Sequence, residues 1–560
     1  MKKYFIIILF IIFYSYNPIK SQTPDIEWQN TIGSSGNDYL YSVQQTSDNG
    51  YLIGGYCWSD ASGDKTEDTQ GDRDYWIVKL NSFGSIEWDN TIGGSAADRV
   101  FSAKQTLDGG YILGGYSFSG ISGDKTEPNN GICDYWIIKL DATGQNIEWQ
   151  KSIGGNDYDY FRCIQQTSDG GYVLGGDSDS GISGDKTEIN KGGRDFWIVK
   201  LDGNGNIVWQ KTIGGNSKDD VCAIQQTIDG GYIVGGTSES GASGDKTENN
   251  RGNINEPQDY WIVKLDATGQ TIEWQKTIGG SSDDRLFSIQ QTDDGGYVLG
   301  GISLSDASGD KTENTIWNGG GMRNDYWVIK LDATGQTIEW QNTIGGISTD
   351  ELRTIEQTND GGYIIGGSSD SGIFGDKSEN SKGAEDFWIV KLNNDGNLIW
   401  QRTIGGSASD QIRSMQQTSD GGFILGGTSE SGISADKIEE GKGGWDYWIV
   451  KLSAEKLTVN YDEHSQLIEA FTVLPAYPNP FNPNTMITYG LDKDSEVTVQ
   501  IYGLTGKLIT TLLNEYQPQG WHSTIWNGTN QQGTQVPAGL YISKITSGSE
   551  VKTTKLMLLK

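Results

Sequence analysis

Aspartate is the residue that recurs where chemistry could be done. An Asp stands eight residues before a strand-ending Thr at Asp38, Asp98, Asp159, Asp219, Asp284, Asp350 and Asp410. Gathered round one opening, these carboxylates would form an acidic collar for a cation or a basic ligand. Kept apart, each is a turn residue accepting backbone N–H groups at a strand entry. A second acidic grouping is Asp177-Ser-Asp179-Ser-Gly181, with Asp185 close by. Alternating carboxylates before a Gly resemble a Ca²⁺ loop, but the twelve-residue spacing with its terminal bidentate Glu is missing. Ca²⁺ is the one cofactor this pattern admits. The pentapeptide Gly-Asp-Lys-Thr-Glu, as at Gly184 to Glu188, reads as a solvated, self-capped loop; the Gly-Lys order and following helix of a P-loop are absent.

Other chemistry is excluded by what the chain lacks. Its two histidines, His464 and His522, both fall in the last hundred of 560 residues. The preceding region therefore holds no Ser-His-Asp triad, no HExxH zinc site and no His general base, and no catalytic residue is assigned. A formal charge of -32 argues against nucleic acid and anionic membrane surfaces, which need Lys and Arg patches. Nineteen Trp and 26 Tyr are too many for a disordered acidic chain.

The elements that would position these residues repeat. A Trp before a Thr/Ser-Ile-Gly step recurs at Trp28, Trp88, Trp149, Trp209, Trp274, Trp340 and Trp400, spaced by 60 to 66 residues. Fixed-period similarity marks solenoids, propellers or arrays. Each unit carries four strand signals: a, ending Gln-Thr; b, Gly-Gly-Tyr-Ile/Val-Leu-Gly-Gly; c, Asp-Tyr/Phe-Trp-Ile-Val-Lys-Leu; and d, the Trp strand. Asp-Gly between a and b is a hairpin signal. The pattern predicts an all-β fold: a seven-bladed β-propeller over residues 22–452, with four-stranded blades. The region opens with a d strand and ends with a c strand, so the N-terminal strand can complete the last blade and close the ring. An open array of the same units is the rival. The repeated Trp residues are expected in the core between blades.

A site for one ligand must break this sameness. Insertions fall in the b–c loops of blades four and five, and the three propeller Trp outside the repeat positions, Trp58, Trp317 and Trp445, lie in b–c loops too. An exposed Trp among polar residues is a surface for sugar stacking or a protein anchor. Trp317, with Arg323 nearby, is as readily a ligand surface as a cap on its own blade; for Trp58 and Trp445 the cap is the favoured use. Cys57, Cys133, Cys163 and Cys222 occupy different repeat positions, so no disulfide framework recurs; buried thiols are expected, with a single incidental bridge, whose pairing sequence does not assign, as the alternative.

The two ends read as addresses. Lys2 and Lys3 before an apolar run from Tyr4 to Tyr16 predict a signal peptide over 1–21, too short to span a membrane. Residues 453–473 read as a linker. Residues 474–560 alternate with period two between Gly and Pro turns, which fits a small immunoglobulin-like sandwich. Tyr477-Pro-Asn-Pro-Phe-Asn-Pro483, Ile501 to Lys507, the Trp526 and Pro537 steps and the basic last strand closely resemble the type A C-terminal sorting domain of Bacteroidota type IX secretion substrates. The resemblance implies export across both membranes, interaction with the type IX machinery, and either release or attachment at the outer-membrane surface.

The function expected from these readings is a non-enzymatic exported propeller that binds a glycan or another protein through its b–c loop face. A carboxylate-based polysaccharide hydrolase or lyase, which needs two unique carboxylates, and a purely structural surface component are the alternatives.

Overall fold

The computed structural model describes residues 20–252, 258–316, 323–458, 470–476, 479–481 and 484–559, with strands, turns and loops and no helix among them. Nearly all of the expected signal segment, and Trp317, lie outside the described residues. The chain divides into two units, Lys20–Thr458 and the residues from 459 on.

In the first unit each repeat forms one four-stranded antiparallel sheet, and seven such sheets occur among the described residues. The third runs Asp159–Gln166 (a), Tyr172–Ser178 (b), Asp195–Leu201 (c) and Ile207–Ile213 (d), paired in that order. Local chemistry sets each turn. Between a and b, Gly170 takes φ 81°, and the Asp169 carboxylate accepts the Thr167 hydroxyl and the Gly171 N–H. In the first sheet Asn49 fills the same left-handed place, with φ 65°. The repeats thus build a propeller-like array of sheets. In the seventh sheet the d position is taken by Ile26–Ile32, paired with Asp446–Leu452.

Adjacent sheets interlock through glycine. A Cβ on Gly176 would meet the Tyr135 hydroxyl of the preceding sheet at 2.3 Å. Without it, Tyr135 reaches through and donates to the Trp197 carbonyl at 3.2 Å. Tyr447 of the seventh sheet makes the same bond to the Trp76 carbonyl of the first, also at 3.2 Å. A glutamine belt runs in parallel. The last residue of each a strand accepts an N–H from the a–b turn of the sheet before it, as Gln226 does from Ser168, and Gln45 accepts from Ser419 of the seventh sheet at 2.8 Å.

The c-strand Trp residues, from Trp76 to Trp448, are fully buried. At roughly 25 cal/mol per Å² and about 200 Å² per ring, each burial is worth on the order of 5 kcal/mol. The d-strand Trp residues depart from the expected core role. All but Trp400 are only half-buried. Trp28 lies edge-on to Tyr51 at 5.5 Å and covers the turn glycine Gly84, which leaves its outer face wet.

The second unit has a three-stranded sheet (Thr472–Val473, Thr485–Leu491, Gly520–Trp526) and a four-stranded sheet (Leu508–Gln517, Ser495–Gly503, Gly539–Ser547, Glu550–Leu558). Ile487, Val499, Trp526 and Leu556 share one core between them, an immunoglobulin-like arrangement.

Candidate functional site

The repeated aspartates start the a strands, and their side chains are fully buried. Each accepts an N–H from four residues earlier: Ser34 to Asp38 and Gly155 to Asp159 at 2.6 Å, Gly94 to Asp98 and Gly215 to Asp219 at 2.7 Å. Asp284, Asp350 and Asp410 take Gly280, Gly346 and Gly406 in the same way. A second buried Asp from the c strand stands beside each. Burial pushes the Asp38 carboxyl up to about 7 and Asp159 to about 6; c-strand Asp195, buried and near Asp219, is raised to about 7.

The Gly-Asp-Lys-Thr-Glu loop is not the solvated loop expected from sequence. Lys186 is 1% exposed, lies 5.3 Å over the Trp197 ring and donates to the Thr212 hydroxyl at 2.6 Å. Asp185 accepts the Gly154 N–H of the preceding sheet at 3.2 Å, while Glu188 accepts the Thr212 N–H of its own d strand at 2.6 Å. The loop is a clamp between sheets. Its Lys supplies positive charge beside two buried aspartates, which is why it cannot stay in solvent.

The three carboxylates considered for Ca²⁺ are committed elsewhere. Asp177 pairs with Arg162 at 2.8 Å, Asp179 with Arg194 at 3.0 Å, and Asp185 with Gly154 and Asn130. No cluster of three or more His, Cys, Asp or Glu able to hold a metal occurs among the described residues. All four cysteines are free.

Asymmetry enters at the end of the sheets where the a and c strands start. Trp58 and Trp445, which are far apart in sequence, both approach Tyr39, with ring centroids 6.0 and 6.1 Å away. Trp58 keeps 42% exposure and lies 4.3 Å under the Arg73 guanidinium. From Tyr39 the rings continue through Tyr56, Tyr41, Phe101, Tyr116 and Tyr160, each 4.7–5.6 Å from the last. This crescent runs from the seventh sheet to the third. The same positions of the fourth and sixth sheets carry Asp220, Cys222, Glu351 and Arg353. Sequence reading missed all of the crescent except its two Trp. The signal was present: the second and fourth residues of the a strand vary (Asp-Tyr-Leu-Tyr, Asp-Arg-Val-Phe, Asp-Tyr-Phe-Arg) while their neighbours repeat. Arg323 is placed apart, donating to the Ser348 hydroxyl of the next sheet.

Further along the a strands a second belt forms. Gln44, Gln165, Gln225, Gln290 and Gln416 each accept the final a-strand N–H of the following sheet, at 2.5–2.8 Å. Glu356 does the same toward Gln417 at 2.9 Å. The seventh position is Lys104, which has no acceptor to offer. Burial pushes the Glu356 carboxyl up to about 7 and the Lys104 amine down, each opposed by the other's charge.

Comparison with known proteins gives limited likeness. A stretch of 234 residues is 21% identical to the regulatory protein FlaEY of Caulobacter vibrioides and covers 41% of this chain, but only 24% of that protein's length. Among solved structures, a copper-bound fungal alcohol oxidase of the AA5 family is 12% identical, with TM-score 0.41 over 96% of this chain and all of the other. PorZ, a surface component of the type IX secretion system of Porphyromonas gingivalis, is 13% identical, with TM-score 0.20 over 94% and 75%. Residues 483–550 match the FlgD Ig-like domain family, so the C-terminal unit is similar to that domain.

Proposed function

We propose that the chain is an exported, non-enzymatic, closed seven-bladed propeller. It binds a glycan or a surface protein at the mouth of its central channel, on the b–c loop face, and its C-terminal domain directs type IX secretion to release or surface attachment. One observation carries the binding role: Trp58, Tyr39 and Trp445 converge from different sheets into a half-exposed aromatic platform. Aromatic faces of this kind stack against the C–H faces of sugars or anchor a protein loop. The bonds from Ser419 to Gln45 and from Tyr447 to Trp76 support closure. The ordered motifs from Tyr477 to the C-terminus support the secretion role.

The test is a glycan array and a capture of surface proteins, both with the full mature chain and each with and without Ca²⁺. Selective retention that Trp58→Ala weakens at least tenfold is expected. Retention of nothing in either format, or retention unchanged in the variant, overturns the proposal. Turnover of a retained polysaccharide would instead establish the hydrolase or lyase reading.

A further inference from the structure

We infer that the ligand at this mouth is a glycan ending in a sugar that bears an anionic group, carboxylate or sulfate, received by Arg99 and Arg413. The inference rests on the glycan reading of the mouth and narrows it to a chemical class.

Most arginines at this end are already neutralised. Arg162 has Asp177 at 2.8 Å, Arg194 has Asp179 at 3.0 Å, Arg285 has Asp283 at 3.0 Å, and Arg353 has Glu351. Arg99 and Arg413 differ: among the described residues neither forms an ion pair with a carboxylate. Their partners are neutral, the Tyr116 hydroxyl at 3.1 Å for Arg99 and Gln411 Oε1 at 2.7 Å for Arg413. Arg99 also keeps a buried Nε with no hydrogen-bond acceptor. A half-buried guanidinium with only neutral partners leaves a planar donor fork matched to a carboxylate or sulfate.

The two forks border adjacent rings. Arg99 stands 5.5 Å from the Tyr56 ring and Arg413 stands 5.6 Å from the Tyr41 ring. Those two rings stack on one another at 5.6 Å with 21° between their planes. Charge-reading donors therefore flank a stacked pair of rings, of which Tyr41 is the partly exposed member that a sugar can reach. Crowding agrees with this. Burial first, and then the adjacent Arg413 charge, push the Arg353 guanidinium down, so Arg413 stands close enough to Arg353 to repel it.

The rest of the mouth limits the length of the anion. Asp220 stands on the fourth sheet, while Glu430 follows the b strand of Arg413's own sheet and Glu385 accepts from Gln411, the residue Arg413 bonds; within a Debye length of about 8 Å such carboxylates repel an extended polyanion. A chain end with one acidic sugar fits; a uniformly charged polymer does not.

The test is a calorimetric titration of the full mature chain with three oligosaccharides of one backbone, ending in galacturonate, 6-sulfogalactose or galactose. At least one acidic end is expected to bind tenfold or more tightly than the neutral end, and the stronger arm identifies the anion. Arg99→Gln and Arg413→Gln are each expected to reduce that ratio below threefold, with Arg99→Lys intermediate because charge survives and the fork does not. Equal affinity for acidic and neutral ends overturns this inference and leaves the glycan reading standing. Failure of all three to bind while other glycans are retained on the array also overturns it. Failure on the array as well removes both.

Discussion

At the scale of single residues, Lys104 and Glu356 are the two departures from an otherwise glutamine belt. A Gln at 104 would offer Gln166 the acceptor that the equivalent N–H groups of the other sheets already have. One such bond is worth about 1 kcal/mol net. The single changes do not deliver that gain. Lys104→Gln strips Glu356 of its cation, and Glu356→Gln leaves the Lys104 ammonium desolvated and alone, so each single variant is expected to be less stable than the parent. The double variant completes the belt and is expected to exceed both singles, and the parent by about 1 kcal/mol. Urea unfolding in a double-mutant cycle measures the coupling. Additive singles would show that the two charges do not interact. A pH arm checks the Glu356 assignment. Its folded pKa of about 7 lies above the ordinary carboxylate value of 4.5, so the folded state holds the proton more tightly between those values and loses stability as pH rises through them. Glu356→Gln should flatten that part of the profile.

At the scale of elements, the a–b turns and the strand entries decide how stability responds to pH. Two opposed groups of carboxylates are present. Asp48 and Asp169, in the a–b turns, are lowered to about 2; burial opposes the shift and bonds from Thr46 or Thr167 and from Lys79 or Lys200 outweigh it. Their contribution is complete above about 4 and is lost as pH falls toward 2. The strand-entry aspartates are raised: Asp38, Asp74, Asp195, Asp259 and Asp325 to about 7, and Asp134, Asp159, Asp284 and Asp350 to about 6, with burial the first cause in each. These favour folding while protonated, so stability falls as pH rises from about 4 to about 7. The thermal midpoint is therefore expected to peak near pH 4–5 and to stand several degrees lower at pH 7.5. A profile rising steadily from pH 4 to 7.5 would contradict the burial of these pairs. The strands and the Asp-Gly turns were legible in the sequence, because each is encoded within about seven residues, and the period was legible because those local signals recur every 60 to 66 residues. The clamp was not legible, because Asp185 finds its partner Gly154 thirty-one residues back and in another sheet. The aromatic crescent escaped for a related reason. Inserted loops mark asymmetry by their length, while this asymmetry sits on a strands of constant length whose alternate residues change.

At the scale of the whole molecule, the proposed closure would rest on one strand from the far end of the chain. Ile26–Ile32 covers the edge of Asp446–Leu452. Side chains lock the same seam. Trp448 Nε1 donates to Gln29 Oε1 at 3.1 Å, Gln29 donates to the Asp436 carbonyl at 2.6 Å, and Glu439 accepts the Thr31 N–H at 2.6 Å. Leu40 and Val43 of the first sheet share a core with Ile424, Tyr447 and Ile449 of the seventh. If the N-terminal strand is removed, so that the chain starts at Gly33, the c strand of the last sheet becomes a bare edge with an apolar flank, which is a template for pairing with another copy. The shortened chain is expected to elute as dimers and larger species and to melt at a lower temperature. A synthetic peptide spanning residues 25–33 should restore the monomer and raise the midpoint in proportion to the logarithm of its concentration. Multi-angle light scattering and a thermal melt read both effects. A shortened chain that stays monomeric with an unchanged midpoint would mean that the first and seventh sheets hold together without the strand, and that the Tyr447 and Gln45 contacts alone carry the seam.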